Sequence, residues 1–536
     1  MSVAGFVAWP AEVAVRYRSE GWWSGRPLDH LLRSAAEQLA DHVAVVCGER
    51  RVTYRELDDR VDRKASGFER LGITARDRVV VQLPNVLELI ETIFALFRLG
   101  AIPVMALPGH RRSEITYFCR HTDAKAYVVA DEVLGFDYRA LAREVEAALG
   151  RRLVTIVVGE PQEHDAYENL DEAPRDRRPV DASEVALLQL SGGSTGTPKL
   201  IPRTHDDYRY SVEQSVRVCG FDASVRYLVA LPAAHNFPMS SPGILGCIHA
   251  GARIVLSPQP QPDVVFPLIQ RESINVAAAV PPLARLWLLA ARTRRVRFPS
   301  LRLLQIGGAR LDADAAAAIR SGFECEVQQV FGMAEGLVCY TRLDDPLERI
   351  LGTQGRPMAP GDEVRIVDDE DHDDAEGDVG HLLTRGPYTI RGYYDATEHN
   401  ATAFTADGFY RTGDLVRRTA DGDLVVEGRA KEQINRGGEK IAPLELEHHL
   451  LAHEGIVDAA VVGVQDNLLG ERICAAVVAH PKHALTRKDV LRHLEDRGIA
   501  TFKLPDRVEL LPTLPKTKVG KIDKKQLAES LHRGAR

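Results

Sequence analysis

Cysteine is scarce in this chain: the 7 cysteines are scattered, with no C-x-x-C pair among them. That spacing fits neither a zinc site nor a disulfide framework, and predicts reduced thiols in a cytoplasmic protein. Basic residues are not in excess either. A net charge of −8 excludes a nucleic-acid binder, because nothing offsets phosphate repulsion over most of the surface. Long apolar runs are missing: the longest, Val276 to Ala291, is broken by Pro281, Pro282 and Arg285, so no membrane span is expected. Near the N-terminus, Pro10 and Glu12 stand where a secretory signal needs an apolar core. Internal repeats and low-complexity segments are lacking as well. What remains is ordinary globular composition, 45% hydrophobic and 27% charged over 536 residues. At roughly 100–200 residues per domain, that length predicts two to four domains or subdomains.

Hydrophobic spacing then orders the chain. Residues 29–42 carry a helical repeat, 78–85 a short buried strand ending in a turn, 87–100 a helix closed by Gly100, and 101–108 another strand. The same rhythm returns at 227–236, 252–258, 275–282 and 301–308, each an apolar run ending in polar or glycine residues. Alternation of this kind predicts parallel β-α-β layers, with ligands gathered at the carboxyl ends of the strands. After about residue 360 the texture changes to β-hairpins at 364–386 and 415–429. The Asp/His run from Asp368 to Asp378 reads as a solvated hairpin loop rather than a metal site. The predicted fold class is therefore α/β: a large N-terminal domain, 1–430, of layered sheets ending in a β-rich subdomain, then a small mobile α+β lid, 431–536.

The most informative segment is 187–205, where an apolar strand runs into Ser191-Gly192-Gly193-Ser194-Thr195-Gly196-Thr197-Pro198-Lys199. Glycines let backbone N–H groups turn inward, hydroxyls add donors, and Lys199 supplies charge, a set suited to polyphosphate. It is not the G-x-x-x-x-G-K-[ST] loop, because Pro198 separates the last Gly-Thr from the lysine. A P-loop kinase is thereby excluded.

This segment resembles the phosphate loop of the adenylate-forming superfamily, which includes acyl-CoA synthetases, luciferases and peptide adenylation domains. Further segments match in order at 307–311, 328–337, 410–415, 428–447 and 514–524. The resemblance implies attack of a carboxylate on the α-phosphate of ATP, with pyrophosphate leaving and the protein supplying position and charge. It assigns Ser191, Gly192, Thr195 and Lys199 to the β- and γ-phosphates and Glu335 to Mg²⁺. Asp414 would accept the ribose hydroxyls, with Arg429 supporting it. Gly308, Ala309, Arg310, Val330, Phe331 and Gly332 would form the adenine slot. Lys521 would be the catalytic lysine, and Lys431 the hinge about which the small domain turns. Gly437 and Gly438, after Arg436, would then line a tunnel for a pantetheine thiol.

The segments 228–243, 204–208 and 331–345 resemble the 2,3-dihydroxybenzoate and salicylate AMP ligases of siderophore and related assembly. On that reading His235, Asn236 and Phe237 line a flat pocket in which Asn236 meets a ring 2-hydroxyl. Ser241 and Val338 are of the dihydroxybenzoate type; salicylate ligases tend toward cysteine and leucine there. Phe237 and Cys339 depart from the usual tyrosine and asparagine, which reads as silent drift or as a pocket retuned for 3-hydroxyanthranilate or 3-hydroxypicolinate, while salicylate stays open as the alternative at Ser241 and Val338. The acceptor is expected to be the phosphopantetheine of a separate aryl carrier protein, with no carrier domain after residue 536. Coenzyme A is the alternative, and the basic run Lys516, Lys518, Lys521, Lys524, Lys525 suits an acidic partner. A nucleotide-binding scaffold without catalysis is the remote alternative; Lys521, Glu335 and Asp414, which decay would remove first, are all present.

Overall fold

The computed structural model describes residues 3–191, 198–373, 379–429, 433–480, 483–516 and 522–533. Within them, two large sheets carry the first part of the chain, one of nine strands and one of seven. Strands Arg78–Gln82, Ile102–Met105, Ala126–Ala130 and Val154–Val158 lie parallel in the seven-stranded sheet. The nine-stranded sheet has a parallel centre built from Arg226–Val229, Arg253–Leu256, Val276–Ala279 and Leu303–Gly307. These are the apolar runs read from the sequence, buried on both faces as parallel strands require.

Helix Leu87–Leu99 shows why the two sheets stay together. Every residue of it except Glu88 is buried, so it has no solvent face, and it touches strands of both sheets. Gly100 ends it in the left-handed conformation at φ 69°, where a side chain would be strained. The resulting core runs continuously from Leu28 through Val81 and Ile254 to Tyr340.

The hairpins expected after residue 360 form a four-stranded antiparallel sheet, in which Glu363–Val367 pairs with Gly380–Arg385 and Tyr410–Arg418 with Leu424–Arg429. The last part of the chain has its own sheet and two small cores, around Ile434, Leu446 and Val477 and around Val462 and Leu527. Its long strands Ile456–Asp466 and Gly470–Ala479 run antiparallel under helices Pro443–Leu451 and Lys524–Arg533. The fold is thus the layered α/β body with a β-rich subdomain and a small α+β part expected from the sequence. Among the described residues no helix is long and apolar enough to cross a membrane.

Candidate active site

A cavity of about 450 Å³ opens where the carboxyl ends of both large sheets meet the small C-terminal part. Its size is that of a small-molecule site. Strand Val185–Leu190 delivers Gln189 and Ser191 to it, and Pro198 and Lys199 return from the glycine-rich segment. Ser191 N–H donates to the Lys199 carbonyl at 2.9 Å, and Lys199 N–H to Ser191 Oγ at 3.0 Å, closing the neck of that loop. Gly192 and Thr195 lie outside the described residues, as do Lys431 and Lys521.

Glu335 sits on the same wall, in the turn between strands Glu326–Gly332 and Val338–Tyr340 rather than at a helix start. The Tyr393 hydroxyl donates to Glu335 Oε1 at 2.8 Å, and Lys199 Nζ lies 6.0 Å from the Tyr393 ring centre. No group of three metal-binding side chains exists among the described residues. A single carboxylate beside an anion loop suits a cation held mostly by substrate oxygens and water, as Mg²⁺ is in nucleotide sites.

Strand alternation sorts the remaining candidates. Val330, Gly332 and Val338 face the cavity, whereas Phe331 and its cross-strand partner Cys339 turn to the opposite core. Cys339 is fully buried and touches no part of the pocket, so its departure from asparagine does not reshape the wall. Gly308 lines the cavity, while Ala309 does not and Arg310 pairs outward with Glu427 at 3.0 Å. Asp414 is buried beside the lining residues Thr412 and Gly413, and stands opposite Arg429 in the ladder. The side chain of Arg429 lies outside the described residues.

His235, Asn236, Phe237 and Ser241 line the cavity as well. Burial, with Lys440 nearby, pushes the His235 imidazole down to about 4, so the ring is neutral at pH 7. Its Nδ1 accepts from Phe237 N–H at 3.3 Å, which orients the ring at the start of helix Asn236–Ser240. Asn236 Oδ1 accepts from the hydroxyls of Tyr208 and Ser240 at 2.7 and 3.2 Å. A Ser241 side-chain hydrogen bond reaches Tyr340, whose hydroxyl donates to Ser215 Oγ at 3.0 Å.

On the far side the small C-terminal part contributes Gly438, Glu439, Lys440, Glu445 and Lys503 to the wall. Gly438 has φ +94°, and a Cβ there would stand 2.6 Å from Val280 Cγ1, so only glycine lets the loop approach so closely. Asn435 Nδ2 donates to the Gly308 carbonyl at 3.2 Å, tying the same loop to the body. The strongest tie is ionic. Lys503 Nζ lies 3.0 Å from Glu114 Oε1 and 2.6 Å from Glu445 Oε1, and both Glu114 and Lys503 are buried. Burial opposes the charge on Lys503, but the two carboxylates outweigh it and hold the amine above its ordinary value.

Sequence reasoning had no signal for this ionic seam, since Glu114 and Lys503 are far apart in the chain and each reads alone as a surface residue. Gln189 and His110 were missed for the same reason. Tyr208 lay inside the 204–208 segment but carried no role, because nothing local says what its hydroxyl meets.

A layered α/β body with its cavity at the strand ends, closed by a small α+β part, is the architecture of a nucleotide-dependent ligase. The chain belongs to the AMP-binding enzyme family: the family profile matches residues 32–394 and the AMP-binding enzyme C-terminal domain matches 445–521. It is 56% identical to the 2,3-dihydroxybenzoate-AMP ligase of Bacillus subtilis (strain 168) over 98% of both chains. It is 46% identical to a salicyl-AMP ligase / salicyl-S-ArCP synthetase of Mycobacterium tuberculosis, over 99% of this chain and 95% of that one. Among solved structures, the Mycobacterium smegmatis MbtA apo structure superposes with a TM-score of 0.77 at 46% identity, covering 98% of each chain.

Proposed function

We propose that this enzyme activates 2,3-dihydroxybenzoate with ATP and passes the acyl group to the phosphopantetheine thiol of an aryl carrier protein. The observation that carries the substrate reading is that Asn236, Ser241 and Val338 all line the cavity. A ring lying against Val338 presents its 2-oxygen to Asn236 and its 3-hydroxyl to Ser241. The identity to the Bacillus subtilis ligase over the whole chain supports the same reading.

In the first step a carboxylate oxygen of the acid bonds to the α-phosphorus of ATP, and the bond to pyrophosphate breaks. Ser191, Gly192, Thr195 and Lys199 would hold the leaving phosphates, and Glu335 would hold Mg²⁺, whose charge would offset theirs when it is bound. Asp414, with Arg429, holds the ribose, and Gly308, Val330 and Gly332, which line the cavity, border the adenine. Neutral His235 stands beside the carboxylate without adding charge, and Lys521 bridges carboxylate and α-phosphate. In the second step the thiol sulfur bonds to the acyl carbon, AMP leaves with the electron pair, and the thiol proton passes to solvent.

Two domains, 1–430 and 431–536, turning about Lys431 would serve the two steps in succession. Gly438 facing the cavity beside Gly308 supports the arrangement in which Gly437 and Gly438 border the thiol's path. A cytoplasmic location accords with the cysteines, all of which are free.

ATP–pyrophosphate exchange with 2,3-dihydroxybenzoate, salicylate, 3-hydroxyanthranilate, 3-hydroxypicolinate and benzoate tests the acid. Preference for 2,3-dihydroxybenzoate is expected; preference for another acid would overturn the Ser241 argument. Parallel transfer assays with a phosphopantetheinylated aryl carrier protein and with coenzyme A decide the acceptor.

A further inference from the structure

At the acid end of the cavity the Asn236 amide is held in one sense. Tyr208, on helix His205–Cys219, is fully buried, and its hydroxyl donates to Asn236 Oδ1 at 2.7 Å. The direction of that bond is set from behind. Gln189 Nε2 donates to the Tyr208 oxygen at 3.4 Å, which leaves the phenol proton for Asn236. The Ser240 hydroxyl adds a second contact, shared between Asn236 Oδ1 at 3.2 Å and the Asn236 carbonyl at 3.1 Å. With its oxygen engaged, the amide turns Nδ2 to the cavity that Asn236 lines. Reversing the amide would set Nδ2 against a phenol oxygen that already accepts from Gln189, and would leave a buried phenol proton without a partner.

Tyr208 itself cannot drift. The Arg203 guanidinium lies 4.6 Å from its ring centre and is itself buried. Arg203 is ion-paired with Asp207 at 2.7 Å and donates to the carbonyls of Ala334 at 2.8 Å and Tyr388 at 3.1 Å. The ring is therefore pinned to the same frame that carries Glu335.

We propose that Tyr208 is a positioning residue that locks the Asn236 carboxamide with Nδ2 toward the substrate, so that the site selects acids whose ortho substituent accepts a hydrogen bond. The proposal rests on the aryl-acid reading above and deepens it. An ortho hydroxyl gives its proton to the neighbouring carboxylate and keeps an oxygen lone pair for Nδ2. An ortho amine also donates to the carboxylate, but its lone pair is delocalised into the ring and accepts poorly. An unsubstituted ring leaves Nδ2 unsatisfied.

The test is pyrophosphate exchange with salicylate, anthranilate and benzoate, which differ only at the ortho position. It is run on the natural enzyme, Tyr208→Phe, Asn236→Ala and the double variant. Phenylalanine keeps the ring over Arg203 but frees the amide to turn. The salicylate-to-anthranilate ratio of kcat/KM is expected to fall about tenfold in Tyr208→Phe, the loss of one directed hydrogen bond. The change should lie in KM for the acid and not in KM for ATP. In the Asn236→Ala background, Tyr208→Phe should change the ratio no further. Ser240→Ala, which loosens the same amide from its other side, should shift the ratio in the same direction and covers the case in which Tyr208→Phe does not fold. Equal losses for all three acids, or an unchanged ratio in both folded variants, would overturn the proposal. Absence of exchange with every aryl acid in the natural enzyme would instead overturn the reading on which it rests, before any variant is made.

Discussion

The two ends of the cavity are built from opposite chemistries. At the acid end, Tyr208, Gln189, Asn236 and Ser240 form a chain of neutral hydrogen bonds in which donors and acceptors are matched. At the seam with the small C-terminal part, contact depends on charge: Lys503 between Glu114 and Glu445, with Glu439 and His110 along the same wall. A neutral network has direction but little reach, and it discriminates by leaving a wrong partner unsatisfied. A buried ionic contact holds strongly while intact and collapses when one partner is lost or its proton changes.

The sharpest way to break this contrast is Lys503→Met. Removing the amine leaves Glu114 and Glu445 facing each other, a loss of roughly 3–5 kcal/mol when a buried pair is broken. Thiol transfer, followed in single-turnover assays, is expected to fall by far more than pyrophosphate exchange. Equal losses in both would show that the seam serves the fold and not the second step. Gly438→Ala comes next. Its Cβ would meet Val280 Cγ1 at 2.6 Å, at a φ of +94°, so a cost of about 1–3 kcal/mol is expected. Val280→Ala should restore part of the transfer rate by removing the clash, though not the backbone strain.

Ser241→Ala acts on the neutral end alone. It should lower the preference for 2,3-dihydroxybenzoate over salicylate about tenfold, read as a ratio of kcat/KM, with the transfer step untouched. The smallest expected effect is a pH dependence of the seam. Burial pushes the Glu439 carboxyl from 4.5 up to about 7, with Lys503 opposing. The closed form then binds a proton that an opened, solvated Glu439 would release. Closure contributed by this group is full below about 4.5 and weakens as pH rises through about 7. Around it, burial raises Glu445 and lowers His110 to about 3, while Lys503 holds Glu114 below its ordinary value against its burial. Transfer rates should therefore decline relative to exchange as pH rises from about 4.5 to about 7 and level off above that, and Glu439→Gln should flatten the profile.

Much of the architecture was legible before any coordinates. Helix 87–100 was legible as a helix closed by Gly100, although its lack of a solvent face was not. The parallel strands declared themselves as short apolar runs closed by polar residues, and the late hairpins by their Asp-Gly turns. Ser191, Lys199 and Glu335, read from motifs of consecutive residues, line the cavity. Orientation within a motif was less legible: Val330 and Phe331 are neighbours, yet only Val330 faces the cavity, because a strand sends successive side chains to opposite faces. Cys339 shows the same limit: its departure from the usual residue left silent drift and a retuned pocket both open, and the residue lies in a separate core.

The sequence by itself determined the layered α/β class, the order of elements and the family. Those depend on hydrophobic period, glycine placement and residues adjacent in the chain. Only the tertiary structure decided which way the Asn236 amide faces, because its partners Tyr208 and Gln189 come from a different helix and strand. It alone decided that Glu114 would share one buried lysine with Glu445, across 389 positions between Glu114 and Lys503. Hydrogen-bond direction and the sign of a buried charge are set by what stands within about 3 Å in space, and a linear pattern does not carry that distance.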